Sequence, residues 1–91
     1  MNIKKISIKK SDENIIYNCE KMNFLVKKKN SISLSHIHPK TEKIFLIKGQ
    51  IGLIVEEKTQ KIKAPVEIEI PPNTPHKITA LTDAEMLYYY D

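Results

Sequence analysis

The most informative stretch of this sequence spans residues 31–42 and reads SISLSHIHPKTE. Polar and apolar side chains alternate through its first part with a period of two, which is typical of a half-buried β-strand. One face of such a strand carries Ile32, Leu34, His36 and His38, and the serines occupy the other face. We therefore predict that both histidines point inward, beside the apolar core.

The same period of two runs through most of the chain, and no segment keeps a helical spacing for more than a turn. The predicted strands are Ile3–Lys9, Ile15–Cys19, Asn23–Lys28, Ser31–His38, Lys43–Lys48, Ile51–Glu56, Lys61–Lys63, Val66–Ile70, His76–Leu81 and Met86–Tyr90. Gly49 and Gly52 predict a tight hairpin between two of them. Many short strands joined by close turns indicate an all-β sandwich or closed barrel.

Length and composition restrict the class of protein. The 91 residues suffice for one domain, residues 1–91, and a hydrophobic share of 41% is ordinary for a folded globular chain. No apolar run approaches the roughly 20 residues of a membrane helix. The single cysteine, Cys19, and a charged N-terminal segment favour a cytoplasmic protein without a signal peptide.

The net charge of +4 comes from lysine alone, because the sequence contains no arginine. The chain therefore lacks the planar fork that grips carboxylates and phosphates. Lysines that alternate with isoleucines, and the run Lys27–Lys29, are interpreted as solvent-facing. With 7% aromatic residues and no nucleic-acid-binding motif, we expect no nucleic-acid partner.

The only histidines in the sequence, together with one glutamate, form the candidate metal site: His36, His38, Glu42 and His76. His36 and His38 would lie roughly 6 to 7 Å apart on one strand face, close enough for one ion to bind both. Pro39 turns the chain so that Glu42 returns on the next strand. His76 enters after a proline-rich turn. Imidazole and carboxylate ligands suit a divalent Fe, Mn, Ni, Cu or Zn ion.

The spacing of these residues resembles that of the cupin family. Its first motif is matched over residues 36–49 by His36, His38, Glu42 and Gly49, with one, three and six residues between successive members. Its second motif is matched over residues 71–76 by Pro71 and His76. The resemblance implies a jelly-roll barrel, a double-stranded antiparallel β-helix, with the metal inside. It also implies that His36, His38, Glu42 and His76 are the metal ligands.

The sequence departs from the family pattern at four positions. Asn30, Pro65 and Asn73 replace glycines, and Ala80 replaces the usual asparagine after the last histidine. Asparagine tolerates the left-handed conformation better than most residues, so Asn30 and Asn73 are mild changes. All four metal ligands are retained.

Two functions remain open from the sequence. Three nitrogens and one carboxylate leave positions on an octahedral ion for a small oxygen-bearing ligand, as in cupin dioxygenases, isomerases and decarboxylases. The alternative is a non-catalytic module that binds or senses a small ligand or the metal. No catalytic residue is assigned. Since the interior is expected to be mainly Ile, Leu and Val, we expect the metal to supply most of the ligand binding.

A homodimer is also predicted. Phe45, Ile47 and Ile54 alternate with core-facing positions, so two central strands are apolar on both faces. In a lone barrel one of those faces would meet water, which a second copy of the chain would exclude.

Overall fold

The structure, a computed structural model, describes residues 1–33 and 37–91. These residues form nine strands: β1 (Ser7–Lys10), β2 (Asn14–Asn18), β3 (Asn23–Lys27), β4 (Glu42–Lys48), β5 (Gln50–Val55), β6 (Lys58–Lys63), β7 (Val66–Ile70), β8 (His76–Ala80) and β9 (Ala84–Tyr90). In these two ranges there is no helix that could cross a membrane. The predicted all-β class is confirmed.

The nine strands form two antiparallel sheets, as the described ranges show them. The larger sheet has the order β1-β2-β3-β9-β4-β7, and the smaller has the order β6-β5-β8. Apolar side chains from both sheets pack into one core: Ile44, Leu46, Ile51, Leu53, Ile70, Ile78, Ala84 and Met86. This two-sheet arrangement is the predicted jelly roll, because each sheet buries one face against the other.

Gly49 marks the corner where the chain passes from one sheet to the other. It has a φ angle of +94°, which side chains rarely tolerate, and a Cβ there would run into the carbonyl oxygen of Asp83. The predicted tight turn is therefore confirmed. The predicted hairpin is wrong, because β4 pairs with β7 and β9, whereas β5 pairs with β6 and β8.

Residues 31–33, which follow β3, have the opposite orientation from the prediction. Ile32 forms an isolated bridge with Thr79 of β8, and the Ala80 N–H donates to the Ser31 carbonyl oxygen at 3.0 Å. This pairing places Ser31 on the inner side, where it is 3% exposed, and leaves Ile32 50% exposed. The predicted inward face of Ile32 is wrong, since pairing with β8 sets the orientation here.

Three residues of that segment, Leu34, Ser35 and His36, lie outside the described residues. Beyond them, Ile37 is exposed and His38 is half-buried. A single unbroken alternation therefore does not account for both ends of the predicted strand Ser31–His38.

Candidate metal centre

A cavity of about 150 Å³ lies between the inner faces of the two sheets. Its lining residues are Asn14, Ile16, Leu25, Ser33, Glu42, Ile44, Ile78, Met86, Tyr88 and Tyr90. Ser33 and Ile78 approach from the small-sheet side, and most of the others come from the larger sheet. Since Glu42 is among the lining residues, the cavity adjoins the predicted metal site.

Glu42 and His76 meet at one end of the barrel. Each is the first residue of its strand, Glu42 in β4 of the larger sheet and His76 in β8 of the smaller. Both are buried, with 5% and 2% exposure. His76 Nε2 and Glu42 Oε1 are 2.8 Å apart. The structure therefore brings together two residues that are 34 positions apart in the sequence.

The contact made by the other ring nitrogen of His76, Nδ1, determines whether Nε2 carries a hydrogen in the neutral ring. His76 Nδ1 is 2.9 Å from the Thr74 carbonyl oxygen, and a carbonyl can only accept, so Nδ1 carries the hydrogen. In a neutral imidazole, Nε2 then presents its lone pair to Glu42. Two electron-rich atoms at this distance require a proton or a metal cation between or beside them. Metal-binding histidines commonly have such a carbonyl on the second nitrogen, so this pair fits a divalent transition metal.

His38 lies beside this pair without joining it. Its ring stacks on Tyr90, with centroids 3.7 Å apart, and its Nδ1 accepts a hydrogen bond from the Lys40 N–H at 3.4 Å. Tyr90 is opposite Glu42 in the β4–β9 pairing. Within residues 1–33 and 37–91, no group of three His, Cys, Asp or Glu side chains is arranged to hold a metal. His36, the remaining predicted ligand, falls in the gap between those ranges.

The two loops that carry the predicted ligands are joined through the main chain. The Asn73 N–H donates to the His38 carbonyl oxygen at 2.7 Å. Asn73 has a φ angle of +58°, so its left-handed conformation turns the N–H toward the other loop. This contact fixes the loop before β8 against the loop before β4.

A family model for the cupin domain matches residues 23–90. This chain belongs to the cupin family. The match confirms the family resemblance that the spacing of His36, His38, Glu42 and Gly49 predicted, and it includes most of the described strands.

Solved structures agree on the cupin fold. An RmlC-like cupin from Shewanella frigidimarina matches with a TM-score of 0.80 and 12% identity, over 94% of this chain and 83% of that one. A variant oxalate decarboxylase from B. subtilis matches with a TM-score of 0.77 and 17% identity, over 94% of this chain and 27% of that one.

A variant salicylate 1,2-dioxygenase from Pseudoaminobacter salicylatoxidans matches with a TM-score of 0.73 and 12% identity, over 84% of this chain and 21% of that one. This cupin thus spans only about a quarter or less of either enzyme. No curated protein sequence matches the chain. At these identities the likeness shows the fold.

Two tyrosines of β9, Tyr88 and Tyr90, line the interior of the cupin. Burial raises the pKa of Tyr88, and the nearby Glu42 carboxylate raises it further. Burial, followed by Glu42 and Tyr88, raises the pKa of Tyr90 to about 12. Both phenols therefore keep their hydrogens at neutral pH and offer O–H donors to the cavity.

Lys27 is the interior residue that sequence reasoning missed. The predicted solvent-facing position is wrong, because its exposure is 0% and its Nζ donates to Ser33 Oγ at 3.0 Å. Burial lowers the pKa of the Lys27 ammonium, and the Glu13 carboxylate opposes that shift. The signal was present in β3, because Lys27 lies two residues after the core-packing Leu25 and so shares its face. The interior, predicted to be mainly Ile, Leu and Val, therefore also contains a buried lysine.

Proposed function

We propose that this cupin, as a single domain of residues 1–91, binds one divalent transition metal ion through His36, His38, Glu42 and His76. The observation that carries the proposal is the Glu42–His76 contact, in which His76 Nε2 lies 2.8 Å from a carboxylate oxygen while Nδ1 faces the Thr74 carbonyl oxygen. Fe, Mn, Ni, Cu and Zn all accept such ligands.

The position of His38 supports its inclusion. Its ring stacks on Tyr90, which is the cross-strand neighbour of Glu42, and the Asn73 N–H holds its backbone near the loop that leads to His76. The His38 ring therefore contacts the cross-strand neighbour of Glu42. When bound, the metal would act as a Lewis acid toward a small oxygen-bearing ligand.

Both functional alternatives begin with that ligand. The cavity has room only for a small molecule, about 150 Å³, and the Tyr88 and Tyr90 hydroxyls can orient its oxygen atoms. Reaction of the ligand would make the protein a dioxygenase-, isomerase- or decarboxylase-type enzyme. Its release unchanged would make the protein a binding or sensing module.

The metal proposal is tested by elemental analysis after reconstitution of untagged protein with each of the five metals. We expect about one ion per chain in the parent and a loss of stoichiometric metal in His76→Ala and Glu42→Gln. Glu69→Gln is the matched control, because Glu69 is an exposed carboxylate on β7, the strand beside β4. A His76→Ala variant that retains metal as well as the parent, or a parent that takes up none of the five, would refute the proposal.

We also propose that the cupin forms a homodimer through the outer face of its larger sheet. The cross-strand register aligns an apolar row on that face: Ile8, Tyr17, Phe24, Leu87 and Phe45. Ile54, which the sequence grouped with Phe45, belongs to the smaller sheet and cannot extend this row. An apolar row across five strands is a surface that a partner would shield from water.

Charge favours a second copy as that partner. Lys10 lies at the β1 edge of the outer face, whereas Glu67 and Glu69 are exposed at the β7 edge. A two-fold axis near the middle of the row would place the basic edge of each copy over the acidic edge of the other. The surface is thus complementary to itself in charge as well as in polarity.

A further inference from the structure

The inner face of β3 carries a buried lysine. Lys27 is fully buried, although lysine is almost never fully buried without a partner. The carboxylate of Glu13, an exposed residue, opposes the lowering of the Lys27 pKa by burial, and the described part of the chain contains no ion pair between the two side chains. Removing an ammonium group from water costs free energy that a single neutral hydroxyl compensates only in part.

The hydrogen bond from Lys27 Nζ determines which further hydrogen bonds Ser33 can make. Because Ser33 Oγ accepts from Lys27 Nζ, the Ser33 O–H remains as a donor, and Ser33 lines the cavity. The ammonium and the hydroxyl dipole therefore act together and favour a negatively charged group at that position.

A third polar group lies at the same place. Asn14 is directly opposite Lys27 in the β2–β3 pairing and also lines the cavity. Within the described ranges its Oδ1 is buried without a hydrogen-bond partner. Rotation of the amide can present either its oxygen or its NH₂ group, so Asn14 can donate to a ligand oxygen. A buried polar atom without a partner has a cost that a bound ligand or water would remove.

We propose that Ser33 and Asn14, which line the cavity, and Lys27, which donates to Ser33, form an anion subsite that binds the carboxylate of a small organic acid in the barrel. The other end of the acid faces Glu42, which lines the same cavity. The metal-facing end rests on the proposed function, whereas the anion subsite is built from other residues. A cavity of about 150 Å³ accommodates a molecule of about benzene size, which limits the acid to roughly six to eight non-hydrogen atoms.

The preference for one small molecule over another would then come from the anion subsite, on the side of the barrel away from the proposed metal ligands. An organic acid and its amide have nearly the same shape, but only the acid carries the charge that Lys27 and Ser33 would recognise. Lactate with lactamide, and malonate with malonamide, are therefore matched probes. Each pair isolates the charge of the carboxylate, whatever the natural ligand is.

The experiment is calorimetric titration of metal-reconstituted protein with these four probes. We expect the parent to prefer at least one acid over its amide by about tenfold or more, and Lys27→Met to remove that preference by weakening acid binding. Lys28→Met is the control, since Lys28 is exposed and adjacent. Its preference should equal that of the parent. Metal content should be unchanged in both variants.

Equal binding of the acids by Lys27→Met and the parent would overturn the inference, as would a parent that binds amides as tightly as acids or binds none of the probes. If Lys27→Met does not fold, Ser33→Ala replaces it, because it removes the cavity-lining hydroxyl and leaves the Lys27 side chain in place. Ser33→Ala should weaken acid binding several-fold more than amide binding, because a hydrogen bond to a charged acceptor is the stronger one, and unchanged acid binding would again overturn the inference.

Failure of this inference and failure of the metal proposal give different results. A parent that binds no metal but still distinguishes acid from amide through Lys27 would refute the metal proposal and support the anion subsite. A parent that binds metal through His76, with acid binding insensitive to Lys27, would do the opposite.

Discussion

Replacing Gly49 with alanine should destabilise the protein substantially while leaving the chemistry of the metal ligands untouched. The φ angle of +94° at this position is unfavourable for any residue with a Cβ. That Cβ would also lie 2.8 Å from Thr82 Oγ1 and 2.9 Å from Ala84 Cα, besides meeting the Asp83 carbonyl oxygen. The obstacles include backbone atoms, which cannot move aside as the end of a flexible side chain can.

The expected loss follows from these two effects. A left-handed conformation costs about 1 to 2 kcal/mol for a non-glycine residue, and overpacking of a closed site typically costs about 1 to 3 kcal/mol. Gly49→Ala should therefore lower the free energy of unfolding by about 2 to 5 kcal/mol, a large part of the roughly 5 to 15 kcal/mol typical of a small domain.

Gly52→Ala is a matched control within the same chain. A Cβ at Gly52 would meet Leu81 Cδ2 at 3.8 Å and the Thr79 carbonyl oxygen at 4.0 Å, which are ordinary contacts. The same glycine-to-alanine change should alter stability there by less than about 1 kcal/mol.

Urea unfolding followed by far-UV circular dichroism measures both variants against the parent. A Gly49→Ala variant within about 1 kcal/mol of the parent, or one no less stable than Gly52→Ala, would show that the corner does not require glycine. The physical explanation of the last position of the first motif would then be wrong.

Two further results are expected. Lys10→Glu and Glu67→Lys should each weaken the homodimer at low salt, as measured by analytical ultracentrifugation, and combining the two changes should restore it. A parent that is monomeric at tens of micromolar, on the order of working concentrations, would contradict the proposed interface. Because burial holds the pKa of Lys27 below its ordinary 10.5, the unfolded chain binds more protons through that interval. Stability should therefore rise as pH increases toward 10.5, and urea unfolding across pH should show no such contribution in Lys27→Met.

The sequence predicted the fold well because its main signals are local. The predicted period of two is visible in the second half of β7, with Ile70 buried and Glu69 exposed. The substitution of asparagine for glycine at positions 30 and 73 was interpreted as tolerant of a left-handed backbone, and φ angles of +72° and +58° confirm this.

The pairing between segments that are distant in the sequence was harder to predict. Alternation cannot determine which face is inward when both faces carry small polar or apolar residues, so it predicts Ile32 inward, whereas pairing with Thr79 places it outward. For the same reason, Gly49 indicated a turn without showing that it changes sheets. Lys27 was missed because its charge was given more weight than its position two residues after Leu25.

The candidate site was predicted in part. Glu42 and His76 were expected to converge, and they do so at 2.8 Å. The Thr74 carbonyl that orients His76 could not be predicted, because a main-chain contact has no signature in side-chain identity. Metal binding by the full set of four residues, and the cytoplasmic location, stay predictions.

The hydrogen bond between the loop of His38 and the loop before His76 affects how such a barrel can change in evolution or in protein design. The Asn73 N–H and the His38 carbonyl are backbone groups, so their hydrogen bond does not depend on which side chain position 38 carries. Any residue that accepts an extended conformation before Pro39 could replace the histidine, and the loops would still close. The loop geometry and the identity of the side chain at position 38 can therefore change independently. A different metal-binding side chain can be introduced there without altering the surrounding backbone.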